Sequence, residues 1–262
     1  MNKPSIDQEP AAPEAPSPLT AAPALLEPLA LPPLGDWIHQ IQFLTSAAKL
    51  SDLPPIGAGE VAVAGRSNAG KSSALNLICN RKKLAFSSKT PGRTQLLNYF
   101  TLAWQEEELG RLVDLPGYGY AAVDQTTKRR WQAVLSDFLE SRLSLIGLVL
   151  VMDIRHAFGP LDVKMLEWFG KRQQPIHVLL TKADKLTRNE QAKAMSAAKK
   201  MIAAHGDDWG GKVSCSQFSA LTRTGRQEVL DKIAEWWGLS SAGSTSVSGK
   251  KNPAKVSPGG NA

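Results

Sequence analysis

Eight consecutive residues, Gly65-Arg66-Ser67-Asn68-Ala69-Gly70-Lys71-Ser72, constrain this chain more than any other feature. They match the G-x-x-x-x-G-K-[ST] pattern of a phosphate-binding loop. An apolar run, residues 60–64, comes before them, and a helical pattern, residues 71–79, comes after. The glycines let backbone N–H groups wrap phosphate oxygens. Lys71 reaches the β- and γ-phosphates, and the Ser72 hydroxyl is the expected ligand of Mg²⁺. The following helix adds the positive end of its dipole. A Gly-bearing turn matches this pattern by chance now and then, but the strand-loop-helix context argues against chance here.

The rest of the middle alternates short β-rich runs with longer helical patterns. Strands are expected at residues 96–102, 111–114, 145–153, 176–181 and 213–219, with an edge strand within 37–47. Helices are expected at 126–142, 160–171, 188–205 and 226–237, with Pro160 in a first turn where proline is tolerated. Such alternation implies an α/β fold: a Ras-like P-loop domain with a mostly parallel central sheet and helices on both faces. Its ligand is expected beyond the carboxyl ends of the strands.

Three later motifs stand at strand ends. Asp114-Leu115-Pro116-Gly117 puts a carboxylate where it can hold Mg²⁺ through water and a glycine N–H where it can meet the γ-phosphate. Alone it would be an ordinary turn. Thr181-Lys182-Ala183-Asp184 offers a carboxylate that can accept from both the N1–H and the 2-amino group of guanine; adenine lacks that donor pair. Phe218-Ser219-Ala220 closes the last strand, where backbone N–H groups can meet the guanine oxygen. Between the first helix and the next strand lies a basic loop, residues 81–95. It reads as a switch segment in which Thr94 binds Mg²⁺ while a γ-phosphate is present.

Composition sets the outer limits. The chain has 262 residues and a net charge of +7. Residues 1–35 are Pro- and Ala-rich, with one lysine against four acids. Residues 239–262 are Ser-, Gly- and Lys-rich. Both compositions read as disordered tails around a domain spanning 36–238. The positive charge therefore falls on the domain, which suggests a polyanionic partner, although a solvated basic face has the same signature. Arg81, Lys82, Lys83, Lys89 and Arg93 cluster on the switch side, and Lys128, Arg129 and Arg130 begin a later helix. No apolar run approaches the roughly 20 residues of a membrane span. Cys79 and Cys215 have no metal-type spacing, and a reduced cytoplasmic compartment is expected. Nothing in the pattern asks for an oligomer, so a monomer is expected.

Taken together, the phosphate loop, Pro91-Gly92-Arg93-Thr94-Gln95, Asp114 through Ala121 with its Gly-Tyr-Gly-Tyr run, and Thr181-Lys182-Ala183-Asp184-Lys185 resemble the bacterial EngB family of TRAFAC GTPases. Leu53-Pro54-Pro55 and Asp153-Ile154-Arg155-His156 match as well, and the similarity runs over residues 43–237. The resemblance implies that Gly65, Arg66, Ser67, Asn68, Ala69, Gly70, Lys71 and Ser72 bind the phosphates of GTP or GDP, and that Ser72 and Thr94 hold Mg²⁺. Gly92, Arg93, Thr94, Gln95 and Leu96 would cover the γ-phosphate, and Asp114, Leu115, Pro116 and Gly117 would sense it. Thr181, Lys182, Ala183 and Asp184 would read guanine, with Phe218, Ser219 and Ala220 completing the base pocket. The wider superfamily begins its base-reading motif with Asn; here the residue is Thr181.

Lys71, Thr94 and Asn68 are the expected catalytic participants. Ras-like proteins place a water-orienting Gln directly after D-x-x-G, whereas this chain has Tyr118. His156 reads as a structural histidine. Intrinsic hydrolysis is therefore expected to be slow, on the order of 10⁻⁴ per second or below. Asn68 admits two readings: a holder of K⁺ beside the phosphates, as in the related TrmE-type GTPases, or simply a residue suited to a tight turn. The family is implicated in assembly of the large ribosomal subunit, and so in contact with its rRNA, and in normal cell division and septation. Two alternatives remain: a nucleotide-dependent ribosome-binding module with incidental hydrolysis, and a division-site interaction protein.

Overall fold

The computed structural model describes residues 31–85, 96–119 and 125–239. Seven strands form one sheet: β1 (Gln42–Ala47), β2 (Glu60–Gly65), β3 (Leu97–Trp104), β4 (Glu107–Asp114), β5 (Leu145–Asp153), β6 (Ile176–Thr181) and β7 (Val213–Gln217). Their order is β1-β3-β4-β2-β5-β6-β7. The β1–β3 and β3–β4 pairs are antiparallel, and the remaining pairs are parallel. The mostly parallel sheet expected from sequence is present, and β1 is an edge strand as expected. The order reverses around β2, so the carboxyl end of β2 is the topological switch point where open α/β sheets take their ligands.

Every residue of β2 is buried. Its side chains alternate: Val61 and Val63 join one core, Ala62 and Ala64 the other. A strand covered on both faces must be apolar throughout, which is why 60–64 reads as a continuous run. The first core packs α2 (Lys71–Ile78) and α6 (Arg226–Trp236) through Leu75, Ile78, Leu230 and Ile233. The second packs α3 (Gln125–Ser141), α4 (Pro160–Gly170) and α5 (Arg188–His205) through Phe138, Phe169 and Ala198. Thr187 and Glu190 cap α5 reciprocally: Thr187 N–H donates to Glu190 at 2.8 Å, and Glu190 N–H to Thr187 Oγ1 at 3.4 Å.

Two local expectations change. Residues 37–41 are not strand; a short helix, α1 (Leu34–Trp37), and a 3₁₀ turn (Ile38–Gln40) precede β1. Leu34, Trp37, Ile38 and Ile41 recur at three- to four-residue spacing and are buried in the core containing α6. Leu31 is buried there too, so the folded body reaches into residues that composition assigns to the tail. The β3–β4 pair is also longer than expected and forms a tight hairpin. Gln105 and Glu106, its two loop residues, both adopt positive φ, 48° and 70°. Asn-Gly is the usual sequence sign of that turn, and it is missing here.

Candidate functional site

β2 delivers the chain to Gly65, where a Cβ would stand 2.6 Å from the Val151 carbonyl oxygen of β5. Only glycine lets the two backbones run so close. The chain then turns through Asn68, φ 64°, and Gly70, φ 97°. Ala69 N–H closes the turn on Arg66 O at 3.0 Å. Asn tolerates the left-handed region better than most residues, so the turn reading of Asn68 accounts for its presence without a cation. Gly70 caps α2 without a side chain, which leaves the first N–H groups of the helix facing the loop.

Asp114 ends β4, and its carboxylate forms an ion pair with the Lys71 ammonium; both side chains are about nine-tenths buried. Parallel pairing of β2 with β4 is what joins the two motifs. Gly117 lies against the loop, with a Cβ position only 3.3 Å from Ser67 Oγ. Tyr118 then locks onto the loop through its backbone: Ser67 N–H donates to Tyr118 O at 2.8 Å, and Tyr118 N–H to Gly65 O at 3.3 Å. The Tyr118 ring is buried, and its hydroxyl donates to Asp162 Oδ1 on α4 at 2.8 Å. Burial, then the adjacent Asp162 charge, pushes the Tyr118 phenol far above its ordinary range. Burial also raises Asp162. Tyr118 is thus a structural anchor and stays protonated; it does not take the place of a water-orienting Gln.

On the other side, the Thr181 hydroxyl is buried 2.5 Å from Ala69 O and 3.0 Å from Met152 O. Thr181 therefore grips the phosphate loop. Across the Ala69–Gly70 peptide plane the N–H stands opposite the gripped carbonyl, so this contact turns the Gly70 N–H away from β6. Lys182, at φ 59°, donates to Asn68 O at 2.6 Å. Asp184 accepts from Ser219 Oγ at 2.6 Å, and Ser219 Oγ in turn accepts from Thr222 N–H at 3.1 Å. The carboxylate is thereby oriented from the segment after β7 while remaining partly accessible. Ala183 N–H donates to Phe218 O at 3.1 Å; the Phe218 ring is fully buried in the core, so its part in a base pocket is through the backbone. Ala220 is exposed at the rim.

The fold thus gathers Gly65–Ser72, Asp114–Gly117, Thr181–Asp184 and 218–220 at the carboxyl ends of β2, β4, β6 and β7. Leu96 is half-buried just before β3. Gly92, Arg93, Thr94 and Gln95 lie outside the described residues, as do Lys89 and the side chains of Lys128, Arg129 and Arg130. Arg81, Lys82 and Lys83 are exposed. His156, read from sequence as a structural histidine, is exposed in the turn after β5. Sequence reasoning missed Asp162 as the partner of Tyr118, and Asp153 beside Lys182. Asp153-Ile154-Arg155-His156, at the end of the most apolar strand, carried the only signal for the latter.

Among the described residues no group of three or more His, Cys, Asp or Glu gathers to hold a metal on its own. Ser72 and Asp114 are hard oxygen donors, and that sparse set suits Mg²⁺, which keeps waters and phosphate oxygens as its remaining ligands.

Comparison with known proteins agrees with this geometry. The model of a family described as 50S ribosome-binding GTPase matches residues 60–182. A probable GTP-binding protein EngB of Ralstonia pickettii (strain 12J) is 48% identical over 229 residues, covering 86% of this chain and 97% of the relative. The crystal structure of a probable GTP-binding protein engB superposes with a TM-score of 0.52 at 18% identity, covering 69% of this chain and 99% of that one. Era in complex with MgGDPNP and nucleotides 1506–1542 of 16S ribosomal RNA superposes with a TM-score of 0.54 at 18% identity, covering 70% and 57%.

Proposed function

The chain belongs to the EngB family of GTP-binding proteins, and from that premise we propose that it is a guanine-nucleotide switch with slow intrinsic GTP hydrolysis, acting in assembly of the large ribosomal subunit. One observation carries the guanine reading: Asp184 is oriented by Ser219, while Thr181 and Lys182 of the same segment hold the phosphate loop. A base bound at Asp184 and phosphates bound at Gly65–Ser72 therefore meet one rigid unit.

In this reading the loop N–H groups and Lys71 bind the phosphates, and Ser72, with Thr94, holds Mg²⁺. Bound Mg²⁺ neutralises charge on the β- and γ-phosphate oxygens. Lys71 and Asp114 pair with each other across the site, so Lys71 must turn from Asp114 toward phosphate when nucleotide binds. Hydrolysis is slow because Tyr118 is spent on Asp162 and cannot orient water. K⁺ near Asn68 is a further expectation. It requires faster turnover in K⁺ than in Na⁺; equal rates, with and without ribosomal particles, would remove it and leave Asn68 its turn role alone.

The ribosomal role rests on the family, on the basic domain, and on the exposed Arg81, Lys82 and Lys83 in the segment that joins α2 to β3. Binding of rRNA through such charges weakens steeply with salt. A cytoplasmic setting accords with two free cysteines, of which buried Cys79 has its thiol pushed up to about 12 by burial. In this reading the part the family plays in cell division and septation is indirect, through the supply of ribosomes.

Depletion followed by sucrose-gradient profiling tests this function. Loss of the mature large-subunit peak, restored by wild type and not by Lys71→Ala, is the expected result. An unchanged large-subunit peak on depletion would end the assembly reading.

A further inference from the structure

β5 ends on Asp153, in register with Thr181 of β6. Its Oδ1 accepts from the Arg155 backbone N–H at 3.1 Å and from Arg155 Nε at 2.9 Å. Its Oδ2 accepts from Arg155 Nη2 at 2.7 Å and lies 3.0 Å from Lys182 Nζ. Lys182 Nζ also donates to Asn68 O at 2.6 Å. The result is a continuous chain from Arg155 through Asp153 and Lys182 to the phosphate loop. The charged atoms of Asp153 and Lys182 are only partly exposed, 14% and 32% for their side chains, so water screens the pair less than a surface pair. Lys182 is held in the left-handed region at φ 59° and ψ 31°, a conformation that disfavours an L side chain and persists only where the surroundings hold it.

We propose that Asp153 is a positioning residue for nucleotide binding: by fixing Lys182 against the Asn68 carbonyl, it holds the phosphate loop in its wrapped form and slows release of a guanine nucleoside diphosphate. Thr181 secures the next carbonyl, Ala69 O, so consecutive peptide groups of the loop are gripped from consecutive residues of the base-reading segment. Without Asp153, Lys182 keeps one partner and a long flexible stem, and the loop gains freedom that bound phosphate must then remove. Burial alone would raise the Asp153 carboxyl, but hydrogen bonds from Arg155 and Lys182 outweigh it and hold the group well below the usual carboxylate range. The Asp153 carboxylate therefore stays charged at every pH at which the protein would be assayed. The proposal rests on the guanine-nucleotide reading of this site.

The test is the rate at which fluorescently labelled GDP leaves the full chain, measured for wild type, Asp153→Asn, Lys182→Met and the double variant. Each single variant is expected to release GDP about five- to tenfold faster. The double variant should match Lys182→Met alone, because Asp153 acts through Lys182. That absence of additivity separates positioning from a general loosening of the fold, in which the two effects would multiply. A wild-type rate in Asp153→Asn, or multiplicative effects in the double variant, would overturn the proposal. If Asp153→Asn does not fold, Asp153→Glu keeps the charge and displaces it by one methylene; faster release supports the proposal and an unchanged rate overturns it. Failure of the wild type to bind GDP at all would instead remove the guanine reading on which the proposal stands.

Discussion

The two ends of β2 are five residues apart and treat charge in opposite ways. At its amino end Glu60 is fully buried. Arg142 holds it with Nη2 2.5 Å from Oε1 and Nε 3.0 Å from Oε2, and Tyr99 donates to Oε2 at 3.4 Å. Two donors hold backbone: Arg142 Nη2 donates to Pro54 O at 2.8 Å, and Arg111, which lies beside Glu60 and pairs with Glu108, donates from Nη1 to Pro55 O at 2.6 Å. Each charged group there finds a partner within the protein, and the product is the fixed course of residues 54–55. At the carboxyl end Lys71 pairs with Asp114 and the loop backbone is gripped from behind by Thr181 and Lys182, while the first N–H groups of α2 and the Asp184 carboxylate stand at the carboxyl ends of the strands. Charge that is internally saturated builds structure. Charge whose support comes from one side only builds a binding site.

That contrast breaks most visibly at Glu60. Glu60→Ala leaves the mostly buried Arg142 guanidinium without a carboxylate and should cost about 3–5 kcal/mol of stability in urea unfolding. GDP affinity of the folded protein should change less than about twofold. A large loss of affinity with little loss of stability would reverse the assignment of the two ends.

His177 gives a smaller, pH-dependent version of the same test. It is buried in β6, with Nδ1 2.9 Å from Ser214 Oγ and Nε2 2.9 Å from Ser216 Oγ. Burial, then Lys232, lowers it from 6.5 to about 4. With the folded value below the unfolded one, its contribution is fully present above about pH 6.5 and is lost as pH falls through about 4. The loss should be on the order of 3 kcal/mol. Melting curves from pH 7 to pH 4 should show this slope in wild type and a shallower one in His177→Gln. An equal slope in both proteins would place the acid sensitivity elsewhere.

Tyr118→Phe is the smallest effect and the sharpest, because Tyr118 touches both kinds of region. Removing its hydroxyl leaves buried Asp162 with one donor fewer and should destabilise by about 1 kcal/mol. GDP affinity should hold, since only the Tyr118 backbone meets the phosphate loop. A tenfold loss of affinity in urea-stable protein would make the Tyr118–Asp162 contact part of the binding site.

The phosphate loop and the parallel sheet were legible because each has a local signature: glycines at fixed spacing and unbroken apolar runs. The Gln105–Glu106 turn was not legible, because its positive φ values are imposed by the pairing of β3 with β4 and not by the residues in the loop. Leu31 and Leu34 sit among prolines and alanines, and only α6 gives them something to bury against. The partners of Tyr118 and Lys182, Asp162 and Asp153, are 44 and 29 residues away in the chain, so no spacing rule could announce them. Thr181 shows the same limit: its place in the motif suggests contact with the base, but its hydroxyl faces the phosphate loop.

The most direct measurement is the nucleotide preference of Asp184→Asn, taken as affinities for GDP and xanthosine diphosphate beside those of the wild type. An amide at 184 still accepts from Ser219 but offers an N–H where the guanine base also has donors, and xanthine has an oxygen there. GDP affinity should fall at least about a hundredfold, with xanthosine diphosphate becoming the preferred ligand. Unchanged GDP binding, with no gain for xanthosine diphosphate, would contradict the assignment of Asp184 as the residue that reads guanine.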